Sequence, residues 1–168
     1  MSYEIRPAAK SDAPFLWQML YYAAHMDEDG AAPESARTNP DLAVYVEDWG
    51  ERQGDAGFVA LTADGRPAGA AWIRVMAESP LYRMVAPGTP ELAIAVAPEH
   101  LGTGAGTLLL RRLLEVARGK HRAVVLSVRA NNPAKRLYER SGFVTVAQIT
   151  NRVGTTSHVM RAALTHAG

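Results

Sequence analysis

The sequence predicts an α/β (α+β) fold, one domain over residues 1–168 with a mixed central sheet of about seven strands flanked by about four helices. Three observations predict it. A length of 168 residues suits one ordinary domain that buries its own core. "FVALTADGRPAGAAWIRVM" (58–76) places two apolar, β-prone runs around Ala63-Asp64-Gly65-Arg66-Pro67, the pattern of a hairpin. The run "ELAIAV" (91–96), a helical pattern and "RAVVLSVRA" (122–130) together have the length of a crossover joining parallel strands. The last run is apolar almost throughout, as a strand buried on both faces is.

The remaining elements follow in chain order. "YEIRPA" (3–8) is a first strand. Phe15, Leu16, Met19, Leu20 and Ala23 recur at helical spacing, with Ser11 as the expected N-cap and Asp12 and Pro14 in the first turn. "MDEDGAAPESARTNP" (26–40) is an acidic, turn-rich loop. Asn39-Pro40 opens a short second helix over "DLAVYVEDWG", stopped by Gly50. Residues 77–90 form another loop. A helix over roughly 104–118 buries Leu109, Leu113, Val116 and Ala117, and "NPAKRLYERSG" (132–142) is a shorter one. "FVTVAQIT" and "SHVMRAAL" are two closing strands.

Composition narrows the function classes. The net charge is +1, so the overall balance gives no footprint for nucleic acid. The chain has no cysteine, which excludes disulfides, thiolate nucleophiles and cysteine-based zinc sites. The polar N-terminus lacks the pattern of a signal peptide, and no apolar run approaches the ~20 residues that span a bilayer. A cytoplasmic location without membrane partners is expected.

The most informative stretch is "APEHLGTGAGTLLLRRLLEVARG" (97–119), with Gly102, Gly104 and Gly106 at the mouth of a helix. A P-loop needs a lysine that is missing here. A dinucleotide fingerprint needs glycine where Thr107 stands, and an acidic residue after the next strand where the chain reads "LSVRANN". What remains is general physics. A helix N-terminus offers unpaired N–H groups and the positive end of a dipole, and glycines let a phosphate approach the backbone.

"VAPEHLGTGAGTLL" (96–109) resembles the acyl-CoA pyrophosphate loop of the GNAT acetyltransferase superfamily, R/Q-x-x-G-x-G/A. "NNPAKRLYERSGF" (131–143) resembles that family's N-x-x-A-x-x-L-Y-x-x-x-G-F through Asn131, Ala134, Leu137, Tyr138, Gly142 and Phe143. The element order matches as well, and "PFLWQMLYYAAH", "GDAGFVA" and "GAAWIR" resemble bacterial members of unassigned substrate. One position departs: Leu101 stands where the family has Arg or Gln, which leaves the pyrophosphate to main-chain donors.

The resemblance implies an acetyl-CoA-dependent N-acetyltransferase that moves the acetyl group directly to an amine in a ternary complex, with no metal. It implies that backbone groups of Ile94, Ala95 and Val96 hold the pantetheine arm. The loop Leu101, Gly102, Thr103, Gly104, Ala105, Gly106 and Thr107 then holds the pyrophosphate. Tyr138 is implied as the acid that protonates the leaving thiolate; packing in the core is the alternative. Glu91 is implied as the base, against a role as a solvated strand end, and Asn131 as a pantetheine contact, against a cap or turn residue. Ser127 occupies a position where members that acetylate ribosomal proteins often carry glutamate. The expected partners are a small-molecule or peptide amine and, as among relatives, a second copy in a homodimer. The acidic loop 27–34 favours a cationic acceptor. A non-catalytic acyl-CoA-binding or sensing domain of the same fold is the competing reading.

Overall fold

A computed structural model describes residues 2–164. Seven strands form one sheet in the order β1-β2-β3-β4-β5-β7-β6. They are β1 (Glu4–Pro7), β2 (Ala56–Leu61), β3 (Pro67–Arg74), β4 (Glu91–Val96), β5 (Ala123–Arg129), β6 (Phe143–Thr150) and β7 (Thr156–Ala163). All neighbours are antiparallel except β4 and β5, the two strands of the expected crossover. The helices are α1 (Ala13–Ala23), α2 (Ser35–Thr38), α3 (Pro40–Ala43), α4 (Ala105–Arg118) and α5 (Lys135–Arg140).

The two-residue period of the strands divides the core in two. Phe58, Ala60, Ile73, Leu92, Leu126 and Met160 face α4 and α5 on one side. Val59, Ala70, Trp72 and Ala93 face α1 and the segment after α3 on the other. Helix α4 buries Leu109, Leu113 and Ala117 as the helical spacing predicts, while Leu110 and Leu114 complete the stripe and Val116 is only half-buried at its edge. Among the described residues no helix is long and apolar enough to cross a membrane.

Two expectations fail for one reason, a distant charge that captures backbone or cap. Ser11 does not cap α1. A 3-10 turn over Lys10–Asp12 precedes the helix, because Asp12 accepts from the Ala9 N–H at 2.6 Å and pairs with both arms of the Arg6 guanidinium at 2.8 and 2.9 Å. The second helix is a single turn, Pro40–Ala43, opened by the Asn39 side chain on the Asp41 N–H at 3.0 Å. Beyond it the Arg74 guanidinium takes the carbonyls of Val44, at 2.9 Å, and Glu47, and carbonyls turned toward that cation are lost to a continuing helix. Asp48 and Gly50 then adopt positive φ of 58° and 87°. The two expected loops also contain short helical turns, α2 and a 3-10 turn at Pro80–Met84.

Candidate active site and cofactor cleft

Strands β4 and β5 pair at one position only, Glu91 with Val125. Beyond it they diverge, leaving a V whose closed end is Glu91. Ala97 donates its N–H to Ala68 of β3 at 2.8 Å, so by the strand period Ala95 and Ala93 also turn their backbone groups to β3. Leu92, Ile94 and Val96 turn theirs to β5, and above Leu92 no strand among the described residues meets them. The edge expected at Ile94 to Val96 is therefore open at Ile94 and Val96, while the Ala95 backbone belongs to the β3 ladder. The V widens into a cleft of about 720 Å³, within the range of small-molecule sites.

The glycine loop forms the upper wall of this cleft. Gly102 and Gly104 have φ of 74° and 90°, which L-residues adopt at a cost, and Gly104 is the N-cap of α4. A Cβ at either would meet no protein atom within 4 Å, so the space over them is open. Gly106 is different: its backbone is helical and a Cβ there would make ordinary contact with Val96 Cγ2 at 3.7 Å. The Leu101 N–H donates to the Pro98 carbonyl at 3.3 Å, and from Gly102 to Thr107 the consecutive N–H groups have no acceptor among the described residues. The expected donor run thus begins at Gly102, and the Leu101 side chain lies 67% exposed.

Hydroxyls pin the loop to the strand beside it. Thr103 Oγ1 donates to the His100 carbonyl at 2.6 Å, so Tyr3 must donate to Thr103 Oγ1 at 2.9 Å. The Tyr3 oxygen then accepts from His100 Nδ1 at 3.0 Å, which assigns the proton on that nitrogen. His100 and Thr103 both line the cleft.

Across the gap, α5 presents Tyr138. Its ring packs edge-on against Phe143 with centroids 5.8 Å apart, and it lines the cleft. Its hydroxyl has no hydrogen bond among the described residues. Burial pushes its pKa up to about 12, so the phenol keeps its proton at neutral pH. Core packing and a place in the cleft, weighed as alternatives above, coexist. Asn131 is exposed and outside the cleft, whereas Asn132 lines it. Asn132 Oδ1 accepts from the Ala134 N–H at 2.9 Å, an Asx turn that draws this neighbour inward.

At the closed end of the V, Glu91 is 4% exposed and does not line the cleft. It is not a solvated strand end. Ser79 donates to its Oε1 at 2.6 Å and the Tyr45 hydroxyl donates to its Oε2. Burial pushes its pKa up to about 8. Beside it on β3, Arg74 is 1% exposed and paired with Asp55 at 2.8 Å.

The outer wall is the segment after α1. His25, with φ of 58°, donates from Nδ1 to Glu28 and accepts at Nε2 from Asn132 Nδ2 at 3.3 Å. Asp29 is held by Arg129 at 2.9 Å and Arg152 at 2.7 Å, and those cations keep its pKa low. Asp27 lines the cleft and makes no ion pair among the described residues.

Residues 17–143 match the Acetyltransferase (GNAT) family. The chain belongs to that family. Solved structures carry the same fold over nearly the whole chain. yncA of Salmonella typhimurium, solved with its cofactor acetyl-CoA, is 25% identical with a TM-score of 0.71, over 100% of this chain and 97% of that one. The ribosomal-protein-S18-alanine N-acetyltransferase of Escherichia coli is 23% identical with a TM-score of 0.69, over 99% and 97%. An N-acetyltransferase of Staphylococcus aureus Mu50 is 22% identical with a TM-score of 0.71, over 98% and 100%. No curated protein matches the sequence.

In this GNAT acetyltransferase the glycine loop, Ile94, Val96 and Tyr138 meet in one cleft. Glu91 stands behind it and Asn131 beside it. Sequence reasoning missed Tyr45, Ser79 and the Arg74–Asp55 pair. Tyr45 and Glu91 lie 46 residues apart, and nothing local marks either as the other's partner.

Proposed function

We propose that this chain transfers an acetyl group from acetyl-CoA to an amine by direct attack in a ternary complex. The observation that carries the reading is the run of N–H groups from Gly102 to Thr107, without acceptors among the described residues, at the mouth of a splayed strand pair. Such a run at a helix N-terminus is a nest for a pyrophosphate, and the open space over Gly102 and Gly104 admits one. The free backbone groups of Ile94 and Val96 suit the amides of a pantetheine arm, which then lies like an added strand.

Acetyl-CoA supplies the acetyl group as a thioester. The residues of the chain supply position and protons. The loop and β4 edge hold the donor so that its carbonyl faces the acceptor, a gain in proximity rather than covalent chemistry. Tyr138, kept protonated by burial, donates its proton to the departing sulfur. Glu91 is the final acceptor of the amine proton, and its raised pKa matches that task near neutral pH. Asp27, which has no ion pair among the described residues, and Glu28 beside it favour an acceptor that arrives as a cation.

The test is release of free thiol from acetyl-CoA across a panel of amines, for wild type and Tyr138→Phe. The reading expects amine-dependent release, slowed about 10²-fold or more in Tyr138→Phe with acetyl-CoA binding retained. Binding without release for any amine would instead favour a sensing domain.

A further inference from the structure

The base of the proposed reaction is out of the substrate's reach. Glu91 lies at the closed apex of the V, is 4% exposed and does not line the cleft. Two hydroxyls touch its carboxyl group. Ser79 is itself buried, and its oxygen also accepts from the Leu81 N–H at 3.3 Å. Tyr45 is the other, and Tyr45 lines the cleft. The backbone around it is clamped from β3. Trp72 Nε1 donates to the Tyr45 carbonyl at 2.9 Å, and Arg74 holds the carbonyl of Val44 at 2.9 Å. A side chain with both neighbouring carbonyls so held is fixed in place, between the cleft and the buried carboxylate.

We propose that Tyr45 is a catalytic residue of this acetyltransferase, relaying the acceptor's proton from the cleft to Glu91. The proposal rests on the acetyl-transfer reading above. An acceptor that arrives as an ammonium first loses one proton to solvent, which frees its lone pair; as the C–N bond forms, a further N–H bond breaks and that proton passes to the Tyr45 oxygen. The hydrogen already on that oxygen moves to Glu91 Oε2, so Tyr45 ends as it began. The C–S bond breaks, and the sulfur takes the Tyr138 proton. After release, Glu91 returns its proton through Tyr45 to solvent in the emptied cleft, and Tyr138 recovers one from solvent, which balances the cycle. The charges facing Glu91 do not replace Tyr45 in this role. Arg74 sits opposite on β3 with its charge met by Asp55, β5 presents Val125, and the 77–90 segment presents Ser79.

The experiment measures the pH dependence of amine-driven thiol release for wild type, Tyr45→Phe, Glu91→Gln and the double variant, with acetyl-CoA affinity and thermal melting in parallel. The relay expects wild-type kcat/KM to show a rising limb toward a plateau set by Glu91, beyond the amine's own ionisation, which every variant shares. Each single variant should lose about 10²-fold in kcat together with that rising limb, at unchanged acetyl-CoA affinity. The double variant should match Glu91→Gln, because both changes cut one path. Should Tyr45→Phe not fold, the double variant has no ionisable carboxyl left there, and its rate relative to Glu91→Gln decides the same question. A rising limb retained in Tyr45→Phe, or a double variant well slower than Glu91→Gln, overturns the relay and leaves acetyl transfer standing. A wild type whose thiol release no amine accelerates overturns both.

Discussion

Glu91→Gln tests the burial of Glu91 without any substrate. In the folded chain its carboxyl titrates at about 8, against 4.5 for the ordinary group. A raised carboxyl pKa means that the unfolded chain gives up this proton first. Stability from this group is therefore full below pH about 4.5 and lost as pH rises through about 8, at about 1.4 kcal/mol per unit. From pH 5.5 to 7.5 the loss is about 3 kcal/mol, an upper figure because the Tyr45 and Ser79 hydroxyls favour the ionised form. For a domain of this size that is roughly 6–12 °C in Tm. Glutamine keeps the volume and one acceptor oxygen but does not ionise. Thermal melts of both proteins across this range should show the difference moving in favour of Glu91→Gln by several degrees. Parallel curves, or a shift in favour of wild type at high pH, would refute the assignment of a desolvated carboxyl at the apex of the V.

Other predictions follow from the same geometry. Gly104→Ala forces a methyl-bearing residue to φ of 90°, costing about 1 kcal/mol of stability and weakening acetyl-CoA binding roughly tenfold by calorimetry. Gly106→Ala, at a helical position with room for the methyl, should melt no lower than wild type. Asp55→Asn leaves the Arg74 guanidinium buried without its counter-charge and should lose roughly 3–5 kcal/mol in urea unfolding. Asp27→Asn should raise KM for a cationic amine at unchanged kcat, and leave KM for a neutral amine alone.

What the sequence made legible was local or periodic. The leucine stripe of α4, the β2–β3 hairpin and the apolar β5 carry their own spacing, and the glycines before α4 mark positive φ at Gly102 and Gly104. What it hid was carried by side chains meeting across the sheet. Arg6 redirects Asp12 and takes the cap from Ser11, and Arg74 ends the helix begun at Pro40. Glu91 reads as a strand-end carboxylate until Tyr45 and Ser79, 46 and 12 residues away, close over it. At the α5 motif the miss is one residue wide: Asn131 satisfies the spacing, but the turn made by Asn132 decides which asparagine reaches the cleft.

The most direct test of main-chain pyrophosphate binding is amide NMR during titration with acetyl-CoA. Consecutive N–H groups, with no side-chain cation at Leu101, should hold the pyrophosphate. The largest downfield amide shifts are then expected at Gly102, Thr103, Gly104, Ala105, Gly106 and Thr107, with Ile94 and Val96 following as the β4 edge is paired. Resonances of the loop that stay in place while others respond, or a spectrum that does not respond at all, would contradict it.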